Sequence, residues 1–76
     1  MQDTKIDIER ELERINQDVD DAEAAGIKRV FAEFFCGAEN EREFICAAKA
    51  AMAARGYACT YEYEDGELVL IIRKAA

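Results

Sequence analysis

Apolar residues at Ile8, Leu12, Ile15, Val19 and Ala22 recur at steps of four, three, four and three. That spacing lays them along one face of a helix over residues 4–25. Asp3 or Thr4 is placed to cap its start, with Asp7 three residues beyond Thr4 as in a capping box, and Gly26 is a natural stop. The pattern then changes period. Over residues 27–35, Val30, Ala32 and Phe34 alternate with Phe31 and Phe35, which predicts a strand. After the loop at Cys36–Glu39, Phe44, Ala48, Ala51 and Met52 form the apolar stripe of a second helix, 41–55. Asn40 is the expected cap, Glu43 stands at capping-box spacing, and Gly56 ends the helix.

The rest of the chain reads as a hairpin. Strand-rich runs at 57–64 and 67–74 flank Asp65-Gly66, a pair that favours a two-residue type I′ turn. The turn sets the register: Tyr63 faces Leu68, Tyr61 faces Leu70 and Cys59 faces Ile72, while Glu62 faces Val69 and Thr60 faces Ile71 on the other side. Leu68-Val-Leu-Ile-Ile72 is apolar on both faces and suits a central position. A crossover through the second helix makes the first two strands parallel. The expected fold is α+β: one α-β-α-β-β domain, a three-stranded sheet of order 1-3-2, and both helices on one face.

This arrangement covers the side of the sheet carrying Phe34, Tyr61, Leu70 and Ile72. It leaves Phe31, Phe35, Val69 and Ile71 on the other, fringed by Arg29, Glu33, Glu62 and Arg73. An exposed apolar patch of a few hundred Å² is the size that marks interfaces. Phe31, Phe35, Val69 and Ile71 are therefore candidate partner-binding residues, for a foreign protein or for a second copy of the chain.

Charge adds a second candidate. The net charge is −7. Residues 1–25 hold nine acids against three bases, and residues 26–76 hold eight against seven. Asp18, Asp20, Asp21 and Glu23 crowd the end of the first helix, where the macrodipole favours cations. Such local conflict points to a binding role, here docking onto a basic surface. The alternative is a solvated polar face. The first-helix stripe also has heptad-like spacing. In a parallel dimer, however, Asp18 would oppose Glu23, so packing on the chain's own sheet is the better reading.

What the chain lacks narrows its chemistry. It has no His, Ser, Trp or Pro. Without His, the usual general base near neutral pH is missing, and Ser-His-Asp and Cys-His arrangements are impossible. Cys36, Cys46 and Cys59 are odd in number and never in C-x-x-C spacing, which suits reduced thiols in a cytoplasm. A cysteine nucleophile would lack its usual base; Cys36, near the end of the first strand, is the one thiol to test, and a structural thiol is the expected reading. A calcium loop starting at Asp18 meets Glu23 where Gly is required. No metal or cofactor is expected. The acidic balance opposes direct nucleic-acid binding, and the final strand lacks the basic and aromatic residues an RNA-reading sheet needs. No apolar run approaches a membrane span, and the polar start resembles no signal peptide. A non-enzymatic, cytoplasmic binding protein is the expectation.

From Gly26 onward the chain resembles the RraB-type regulators of ribonuclease E. The resemblance lies in the aromatic strand Arg29-Val-Phe-Ala-Glu-Phe-Phe35, in the alanine-rich helix from Glu43-Phe-Ile to Ala53-Ala-Arg-Gly-Tyr57, and in the hairpin ending Leu68-Val-Leu-Ile-Ile-Arg73. Many ferredoxin-like domains share this succession. In size and charge the chain is also similar to small phage-encoded inhibitors, anti-CRISPR proteins among them. Both likenesses imply an acidic protein that occupies a basic, nucleic-acid-handling surface and so inhibits or regulates a nucleic-acid-processing enzyme. The alternative is a homodimeric structural or small-ligand-binding domain joined through the open sheet face.

Overall fold

A computed structural model describes residues 4–75. The elements run α1 (Ile8–Ala25), β1 (Arg29–Phe35), α2 (Glu41–Ala54), β2 (Tyr57–Glu64) and β3 (Glu67–Lys74). The sheet has order β1-β3-β2. Both outer strands run antiparallel to β3, so β1 and β2 are parallel to each other, as a split β-α-β unit requires. Asp65 and Gly66 both take positive φ, 49° and 79°, which is the backbone of a type I′ turn. It fixes every β2–β3 pair expected from the sequence, from Tyr63 opposite Leu68 to Cys59 opposite Ile72.

The core lies between the helices and one face of the sheet. Ile15 and Val19 of α1, Phe44, Ala48 and Met52 of α2, and Leu68, Leu70 and Ile72 of β3 form its fully buried centre. The α1 stripe is therefore spent inside the molecule and is not offered to a coiled coil. Phe34 meets Phe44 edge to face, ring centroids 4.8 Å apart.

Several local expectations are corrected. Helix α1 begins at Ile8 and not at residue 4. Asp7 caps it, its carboxylate accepting from the Arg10 amide at 3.2 Å. The Thr4 capping box does not form, because the backbone of residues 4–6 is held elsewhere; Asp3 lies outside the described residues. The Glu39 amide donates to the Thr4 carbonyl, and the Asn40 side chain brackets Ile6 with two bonds of 2.8 Å, one to its N–H and one to its C=O. Asn40 thus precedes α2 without a side-chain cap bond. Its amide is worth more across the chain, where it holds Ile6 in the core at 6% exposure.

Strand β1 starts at Arg29 and not at residue 27. The Ile27 and Gly26 amides close a Schellman motif on Ala22 and Glu23, with Gly26 at φ 75°. Helix α2 stops at Ala54 rather than 55. Finally, Tyr61 is on the helix side of the sheet but is exposed. Tyr61 packs instead under the Lys49 ammonium, 5.2 Å from its ring centroid. The Tyr63 hydroxyl donates to Glu41 at 2.8 Å.

Candidate functional site

Among the described residues no helix covers the second face of the sheet. Strand alternation and the observed register arrange its side chains in four rows across β1, β3 and β2. The first row is Arg29, Arg73 and Ala58. The second is Phe31, Ile71 and Thr60. The third is Glu33, Val69 and Glu62. The fourth is Phe35, Glu67 and Glu64. Phe31 is 58% exposed and Phe35 51%. Both are held rigidly by paired backbone, the geometry that lowers the entropy cost of using an aromatic ring as an anchor.

Val69 behaves differently from expectation. It sits on this open face yet is only 6% exposed, and it is absent from the core on the other side. Its position in the middle strand explains this. Longer side chains on both neighbours and along β3 surround the small valine. It is the recessed floor of the patch, while Ile71 beside it is half-buried.

The face is bipolar. Arginines 29 and 73 stand at one end, and Glu33, Glu62, Glu64 and Glu67 at the other. The carboxyl of Glu67 is pushed above the usual carboxylate range, first by a hydrogen bond with Glu33 and then by its charge, with Asp65 adding to the effect. Two acids are thus held together on neighbouring strands. Glu64 and Glu67 escaped the sequence reading. The hairpin turn announces that they face each other. The approach of Glu67 to Glu33 depends on the β1–β3 register, which no turn sets.

The acidic end of α1 divides. Asp20 and Glu23 lie at the surface beside the α2–β2 junction. Arg55 donates to Asp20 at 2.6 Å and to the Asn16 side chain at 2.9 Å and carbonyl at 3.2 Å, and lies 3.9 Å from Glu23. The Tyr57 hydroxyl also donates to Glu23, which raises the tyrosine's pKa. The conflict expected at this helix end is therefore partly relieved within the fold for these two acids: a cation from beyond the helix, Arg55, offsets part of their charge. Asp21 accepts from Gln17 at 3.0 Å, one turn earlier. Asp18 alone of the four turns toward the sheet. It joins Glu11, Arg14, Phe31 and Glu33 in a groove between α1 and the edge strand β1. The structure therefore connects Asp18 with Phe31 into one continuous surface, while Asp20 and Glu23 face Arg55.

Cys36 and Cys46 are exposed thiols. Cys59 is buried, and burial pushes its thiol up. Among the described residues no three of Cys, Asp and Glu gather as a metal site, and no helix is long and apolar enough to cross a membrane. Compared with family models, with curated proteins and with solved structures, the chain matches none.

Proposed function

We propose that the chain is a non-catalytic protein-binding module whose working surface is the open face of its sheet. One observation carries the reading. Phe31 and Phe35 are more than half exposed on a rigid sheet face that no element covers, with Ile71 and the floor residue Val69 between the strands. Burying two such rings and the surrounding aliphatic surface supplies the apolar centre an interface needs, and the surrounding charges supply its rim.

Charge selects the class of client. A net charge of −7 repels nucleic acid and favours a basic protein surface. Proteins that handle nucleic acid present such surfaces, so an inhibitor or regulator that occupies one is the role we propose. Asp18 extends the face around the β1 edge to meet it.

The test is capture from lysate with the tagged chain, its Phe31→Ser/Phe35→Ser variant and its Asp18→Asn variant, at low and high salt. The expected result is a basic, nucleic-acid-processing protein held by the wild type, weakened by salt and by Asp18→Asn, and lost with the double Phe variant. Capture that the Phe substitutions leave unchanged would move the working surface elsewhere.

A further inference from the structure

We infer that in the isolated protein the occupant of the open face is a second copy of the same chain, related by a two-fold axis running across the strands. The inference rests on the reading of this face as a protein-binding surface and goes further by naming what covers it.

The argument is the order of charges along β3 and its neighbours. Arg73 and Glu67 lie on one face of one strand, six residues apart. At a strand rise of ~3.4 Å per residue they stand about 20 Å apart. That is more than twice the Debye length of ~8 Å at physiological salt, so neither neutralises the other within one chain. A two-fold axis across the strands, passing between the second and third rows, reverses the row order of the facing copy. The first row then meets the fourth, and the second meets the third. Arg73 stands over Glu67 of the second copy, and Glu67 under its Arg73. Arg29 comes over the Phe35 ring of the second copy, where a guanidinium stacks well. Ile71 meets Val69 at the centre.

Every contact occurs twice, as an isologous interface demands. Glu67, whose carboxyl is held against that of Glu33, gains a cation from the second copy. The other simple axis, along the strands, fails the same test. It sets Arg73 against Arg73 and Glu67 against Glu67. Charge therefore selects one docking geometry and rejects the alternative.

Size sets the strength. Three strands spaced ~4.8 Å apart and rows reaching about 20 Å make a small footprint, below the ~800 Å² per partner of a standard interface. The dimer is accordingly weak and reversible.

Sedimentation equilibrium from about 1 µM to about 500 µM, bracketing micromolar affinity, reads it directly. The wild type is expected to shift from monomer to dimer across this range. Arg73→Glu and Glu67→Lys, each alone, place like charges in contact twice and are expected to weaken the dimer at least tenfold. Mixed in equal amounts they restore it, because the heterodimer pairs Glu at 73 with Lys at 67 and keeps one native pair. Both positions are exposed, and circular dichroism confirms that each variant is folded. A wild type that stays monomeric throughout overturns the inference. So does a dimer indifferent to both charge reversals, or one that the mixture fails to rescue. The protein-binding reading would survive any of these results if a foreign partner is still captured in a Phe31- and Phe35-dependent way, and would fall separately if it is not.

Discussion

Asn40 offers the sharpest test of how this fold is held. Its side chain makes two hydrogen bonds of 2.8 Å with the backbone of Ile6, 34 residues away in sequence. Replacing it with alanine removes both, at about 1 kcal/mol each. If the segment then lifts away, Ile6 also loses its burial, which adds about 1.5–3 kcal/mol. The expected loss lies between about 2 kcal/mol, with the segment still seated, and about 5 kcal/mol, with it released. A domain of this length has about 4–11 kcal/mol in total. The drop therefore shows in urea unfolding followed by helical circular dichroism, and in a Tm lower by about 4–8 °C per kcal/mol. Serine at position 40 discriminates the mechanisms. Were Asn40 acting as a helix cap, Asn40→Ser would be tolerated to within about 0.5 kcal/mol. As a bracket it cannot be replaced by serine, which lacks the paired donor and acceptor, so Asn40→Ser falls nearly as far as Asn40→Ala. Ile6→Ala costs about 2–5 kcal/mol alone, and the double variant falls short of the sum by about 1 kcal/mol or more, because the two residues share one attachment. An Asn40→Ser protein as stable as the wild type would refute the reasoning.

Other expectations concern charge and ionisation. Arg55→Ala leaves Asp20 and Glu23 as uncompensated acids at a helix C-terminus; the end of α1 then exchanges its amides faster in hydrogen-exchange measurements, and added salt recovers part of the lost Tm. The Tyr63 phenol is pushed up to about 12 by its hydrogen bond to Glu41. Its folded value lies above its unfolded one, so the stability it contributes is complete below pH 10 and is lost as pH rises toward about 12. Ultraviolet titration sees this as a late tyrosinate, and Glu41→Gln brings it forward. Glu67 is also raised, by Glu33 and Asp65. Its contribution is therefore greatest below the ordinary carboxylate range and is lost as pH rises through the elevated value. Glu67→Gln is expected to stabilise the monomer at neutral pH and to flatten this acidic limb of the Tm–pH curve.

Periodicity made most of the architecture readable in advance. The switch from 3.6 to 2 after Gly26, and the Asp65-Gly66 turn, were enough to place five elements and the β2–β3 register. The doubly apolar Leu68–Ile72 run placed β3 in the middle. What stayed hidden were contacts between residues distant in sequence. Asn40 looked like a cap because capping is a local rule, and its bond to Ile6 is not. Asp20 and Glu23 looked frustrated because Arg55 reaches them from another element. Val69 looked exposed because alternation reports which face a residue is on and says nothing of how tall its neighbours are. Phe31 and Phe35 were placed on the open face because alternation alone suffices there: nothing packs over them to modify the outcome.

The position of β3 also has a consequence for the order of folding events. The hairpin of β2 and β3 closes through a two-residue turn and forms early. Strand β1 must wait. Its pairs with β3, from Phe35–Glu67 to Arg29–Arg73, bridge 32 to 44 residues, and closing such loops is what slows a small domain. In that interval one edge of β3 stands unpaired, a strand apolar on both faces and open to any other chain. The charged residues at its two ends, Glu67 before the apolar run and Arg73-Lys74 after it, are placed as gatekeepers over that delay. Exchanging them for apolar residues would give a chain whose native fold is intact but whose refolding yield falls as concentration rises.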